Sequence, residues 1–161
     1  MKNLKILFFS LVLVGLLSTT ATAQTATQDV TIVISDINAI AVSAGTVGMT
    51  INSATAGSSP TAVTDNSTSY ALTTNGTNKK VTAALSADYA AGISLQLSLS
   101  APTGGSSAGL TTLTTVAQDL VTGITKQADN SLSISYSASA TAAADPNGAG
   151  EVQTVILTLT D

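Results

Sequence analysis

Apolar and polar residues follow two different patterns along this chain. From Ile6 to Leu17 the apolar residues run almost unbroken, whereas from Val30 onward they alternate with polar ones. The first run, about a dozen residues, is shorter than the roughly 20 that a membrane-crossing helix needs. It follows a short basic head, Met1-Lys2-Asn3-Leu4-Lys5, and leads into the small residues Ala21-Thr22-Ala23. That order predicts a secretory signal peptide over 1–23, cleaved before Gln24.

Beyond it, period-two alternation marks strands with one apolar face. Val30, Ile32 and Ile34 form one such set, and Val47, Met49 and Ile51 another. Tyr70 and Leu72 lead into Asn75-Gly76, after which Val81, Ala83 and Leu85 alternate with Lys80, Thr82 and Ala84. Asn-Gly between two alternating runs predicts a hairpin, because both residues tolerate the positive φ of tight primed turns. The cleanest strand is 93–100, where Ile93, Leu95, Leu97 and Leu99 alternate with Ser94, Gln96, Ser98 and Ser100. Leu132, Ile134, Tyr136 and Ala138 repeat the pattern, and Val155, Leu157 and Leu159 close it within a last strand over about 151–160. Turn-rich stretches lie at 53–60, 101–105 and 145–150. The exception is 110–124, where apolar spacing is nearer helical; a strand through about Thr115 and one helical turn at 117–121 are expected. About eight or nine short strands punctuated in this way predict a single all-β domain over 24–161, an immunoglobulin-like or pilin-like antiparallel β-sandwich.

Composition narrows the chemistry. The chain has 161 residues, of which 44% are hydrophobic and only 9% charged, with no Cys, His or Trp; ordinary soluble domains are about 25% charged. There is no imidazole, no thiol, no Cys/His metal site and, since all five basic residues are Lys, no arginine clamp for phosphate. No enzyme is expected, for want of a convergent acid, base and nucleophile. Lys2 and Lys5 leave with the signal peptide, so three lysines face nine carboxylates in the remainder. With Tyr70, Tyr89 and Tyr136 as its only aromatics, this acidic remainder suits neither nucleic acid nor an anionic membrane. It has no thiol for a lipid anchor and no disulfide, but about 138 residues can bury roughly two thirds of their unfolded surface and stand on a core alone.

A few features invite a chemical reading. Asp145, Asn147 and Glu151, set among Pro146, Gly148 and Gly150, offer oxygen ligands of the kind calcium takes, although Asp-Pro-Asn-Gly is also a favourable turn; otherwise no cofactor is expected. Asn66-Ser67-Thr68 and Asn75-Gly76-Thr77 match the glycosylation acceptor pattern but suit turns. Lys79-Lys80 reads as a solvated edge that discourages unwanted pairing. The three tyrosines suit packing better than a sugar platform.

The cleaved chain would begin with a polar lead, 24–29, running into Val30-Thr31-Ile32-Val33-Ile34. Such a terminus can pair within its own sheet or add to the sheet of a neighbour, where main-chain hydrogen bonds supply affinity. With a strand-like C-terminus, a body rich in Ser, Thr, Ala and Gly, and few charges, the plan of 24–161 resembles secreted bacterial pilin-like and biofilm-fibre subunits. It departs from chaperone-usher pilins in lacking their common disulfide and an aromatic near the C-terminus. The resemblance implies a non-catalytic structural or adhesive protein at the cell surface or outside it, with the periplasm as the other address. Its copies would join by strand exchange through about 24–35, with Val30, Ile32 and Ile34 as the assembling residues and the chain itself as partner. The alternative is a secreted module that binds glycan or another surface polymer, with calcium support.

Overall fold

The computed structural model describes residues 22–161; most of the expected signal peptide, 1–21, lies outside them. Residues 34–161 form one compact unit, and the described residues 22–33 lie outside it. The larger unit is an antiparallel β-sandwich of ten strands: β1 (Asn38–Val42), β2 (Val63–Asp65), β3 (Ser69–Thr74), β4 (Lys79–Leu85), β5 (Ile93–Leu99), β6 (Ser106–Ser107), β7 (Thr111–Thr112), β8 (Gln118–Ile124), β9 (Gln127–Ala140) and β10 (Val155–Thr160). One sheet runs β1-β3-β9-β5-β7, with β2 also paired to β9, and the other runs β10-β4-β8-β6. From β3 onward the chain changes sheet at every connection.

The core lies between the sheets. Tyr70, Leu72, Leu95, Leu97, Leu99 and Ile134 come from the first, and Val81, Ala83, Leu85, Leu120, Val121 and Ile124 from the second. Strict alternation places them: in β5 the three leucines are buried while Ser94, Gln96 and Ser98 are partly exposed.

Four sequence expectations are corrected. Asn75-Gly76 closes no hairpin: β3 and β4 lie in different sheets, and residues 75–78 cross between them. The link keeps its tight-turn chemistry, for Asn78 has φ 54° and a Cβ added at Gly76 would collide with the Lys79 side chain. Of the helical turn expected at 117–121, residues 118–121 belong to strand β8. Two register shifts against β4 interrupt its alternation, so that Leu120 and Val121 are both fully buried and the apolar spacing imitates a helix. Val30–Ile34 and Val47–Ile51 carry no strand ladder. Val47, Met49 and Ile51 are nonetheless half-buried between exposed Gly48 and Thr50, and Met49 packs on the core, so the two faces are sorted although no strand pairs with them. Lys79, finally, is 7% exposed on an interior strand rather than a solvated edge.

Candidate functional site

Residues 22–37 carry no assigned strand or helix, and their apolar side chains face solvent. Val30, Ile32, Val33 and Ile34 are 76–83% exposed. Three of these are the residues expected to drive assembly. β-branched residues favour extended backbone, yet among the described residues no hydrogen bond joins any before Ser35 to another.

From Ser35 the chain is tied down. The Asn75 Nδ2 donates to the Ser35 carbonyl at 2.8 Å, and its Oδ1 accepts the Ile37 N–H at 2.9 Å. The Asn75 N–H in turn donates to the Ile37 carbonyl at 3.3 Å. Beside this clamp the Lys79 ammonium, its side chain 9% exposed, donates to Asp161 at 2.6 Å and stands 4.0 Å from Asp36. The Asp161 hydrogen bond, reinforced by both carboxylate charges, holds the Lys79 pKa above its ordinary value. Residues 35–37 are therefore fastened next to the C-terminal end of β10.

β10 has no ladder partner on its outer side, although β1 comes close to it there. It pairs with β4 on one side only, in the register Val155↔Leu85, Leu157↔Ala83 and Leu159↔Val81. The β4 residues are buried, whereas Val155, Leu157 and Leu159 face the core only half-covered. On the outer face of the same strand Ile156 is 50% exposed. The other edges offer less: β6 and β7 have two residues each, β2 has three, and β1 turns only Ile40 toward the core.

The polar candidates are placed differently. Asp145 and Asn147 are exposed in a turn closed by the Gly150 N–H donating to the Asn147 carbonyl at 2.6 Å. Both carboxylate oxygens of Glu151 instead accept the Ala90 N–H, at 3.2 Å each, and one accepts the Gln153 amide at 3.3 Å. No hydrogen bond joins Asp145 or Asn147 to Glu151, and among the described residues no three His, Cys, Asp or Glu side chains gather as a metal site would require. Asp65, at the end of β2, accepts the Ser67 N–H and hydroxyl, and Asn66, in the link to β3, accepts the Ser135 hydroxyl. Tyr70 is fully buried, while Tyr89 and Tyr136 are half-buried, their pKa values raised chiefly by desolvation and further by Glu151 and Asp65 respectively.

Sequence reasoning singled out the exposed segment but missed Asn75 as its anchor, Lys79 as a clip and β10 as an open edge. The signal for β10 was available, since it is the last alternating run, but a free edge leaves no mark in the side-chain pattern. Comparison of the chain with protein-family models, curated proteins and solved structures finds no match. Among the described residues no helix is long and apolar enough to cross a membrane.

Proposed function

We propose that the cleaved chain is a secreted, non-catalytic structural or adhesive protein of the cell exterior, whose copies join when the N-terminal segment of one, about 24–35, adds as a strand to a sheet of the next. The observation that carries this reading is the exposure of Val30, Ile32, Val33 and Ile34 on an unpaired segment whose alternation and β-branching suit a strand. Each such side chain is stabilised by about 1.5–3 kcal/mol on full burial. Unpaired strand backbone of this kind is a template for joining chains. Scarcity of charge fits as well, because surface covered by a neighbour does not need to be solvated.

Ile32→Asp tests the reading without disturbing the sandwich, since Ile32 is 81% exposed in the single copy. At high concentration the wild-type chain 24–161 should form oligomers by light scattering and filaments by negative-stain microscopy. The variant should remain monomeric with an unchanged circular dichroism spectrum. A wild-type chain that stays monomeric and yields no filaments overturns the proposal.

A further inference from the structure

We infer that the acceptor for this segment is the outer edge of β10 in a second copy of the chain, entered antiparallel so that Val30, Ile32 and Ile34 lie beside Leu159, Leu157 and Val155. The inference rests on the strand-exchange reading and names its partner surface. Three observations select β10. It offers six residues whose outer main-chain groups enter no ladder, enough to template residues 29–34 once β1 gives way beside it, whereas β6, β7 and β2 are too short. Its three core-facing apolar residues are half-covered and recur at the same period of two as Val30, Ile32 and Ile34, so one added strand completes their burial. The β1 edge, with Ile40 as its single inward apolar residue, has no matching set.

Connectivity and the pairing of both sheets select the direction. Residues 35–37 are fastened beside the C-terminal end of β10 through Asn75 and Lys79. The segment could therefore reach β10 of its own chain only by running parallel to it. Antiparallel entry from another copy matches the antiparallel pairing of both sheets. Each copy then presents a donor segment and an acceptor edge at different places, a head-to-tail contact that propagates into a filament unless it closes into a ring.

In this register Val33 faces Ile156 on the outer side of the added strand. Directly opposed residues have Cα atoms about 4.5–5.5 Å apart, within disulfide range. The chain has no native cysteine, so introduced pairs report without background. The experiment mixes the single variants Val33→Cys and Ile156→Cys of the 24–161 chain under mild oxidation and reads covalent species by mass spectrometry. A Val33→Cys/Ile156→Cys heterodimer, lost when Ile32→Asp is added to the donor, is expected. Capture of Val33→Cys by Ala41→Cys on β1 or by Thr50→Cys, with none by Ile156→Cys, overturns the β10 assignment and leaves strand exchange standing. An in-chain bond in the double variant Val33→Cys/Thr158→Cys, with no heterodimer in the mixtures, means parallel closure on its own β10 and overturns both. Absence of any crosslink in all of these mixtures, with the wild-type chain monomeric throughout, overturns both as well.

Discussion

Tyr70 shows how one side chain can carry several consequences. It is 1% exposed in the core, and its hydroxyl donates to the Ser100 carbonyl at 2.6 Å. Desolvation, helped by the charge of Asp129, pushes its pKa up to about 12. The unfolded chain loses this proton near pH 10 while the folded one retains it. Stability from Tyr70 is therefore whole below pH 10 and is lost as pH climbs from there toward 12. Thermal melts should be flat in this respect up to about pH 9.5 and fall beyond it; in Tyr70→Phe the alkaline fall should be shallower. That variant should also cost about 1–3 kcal/mol at neutral pH, because the Ser100 carbonyl loses its donor. Leu97, fully buried at the centre of β5, tests packing in the same way. Leu97→Ala should lower the unfolding free energy by about 2–5 kcal/mol in urea.

Among the elements, β8 departs furthest from simple alternation. Its two register shifts against β4 let Leu120 and Val121 both enter the core, and Gly123 sits in the same strand at φ 75°. A Cβ at Gly123 would come no closer than 3.8 Å to the Gly104 carbonyl, an ordinary contact, so substitution there is opposed by backbone conformation alone. Gly123→Ala should destabilise by about 1–2 kcal/mol in equilibrium denaturation, without loss of core packing by near-ultraviolet spectra. β9 shows the same device, with a register shift against β3 between Tyr70 and Leu72 and Ser131 at φ 57° nearby. The crossing between β3 and β4 has a different task. Asn75 makes three hydrogen bonds to residues 35 and 37, so Asn75→Ala should speed hydrogen exchange at Ile37 while leaving the interior strands protected.

Across the whole sandwich, no two strands adjacent in sequence pair with each other. Every ladder closes over a long loop, and chains of this kind must lose loop entropy before their contacts reward them. Refolding after denaturant dilution should accordingly fall in the slow range of about milliseconds to seconds typical of all-β domains. While folding is incomplete, unpaired edges and Val30–Ile34 are exposed together, so refolding yield should drop with concentration in the wild-type chain and less steeply in Ile32→Asp.

Much of this was legible from side-chain order alone. Strict alternation over 93–99, 132–138 and 155–159 marked strands and sorted inward from outward residues, because a pleated strand turns successive side chains to opposite faces whatever it pairs with. The exposed run Val30–Ile34 stood out for the same reason. Alternation is silent about partners, however, since ladders join main-chain groups that every residue carries. Asn75-Gly76 therefore suggested a hairpin where the chain crosses between sheets, and Val47–Ile51 suggested a paired strand where two faces are sorted without a ladder. The bulged β8 looked helical because an extra residue breaks period two in the way a helix does. Glu151 looked available to a cation, and its engagement with Ala90 depends on a loop 61 positions away. Which faces are apolar is a local property of the chain. Which edges are filled and which stay open, β10 above all, follows from long-range pairing that no local pattern encodes.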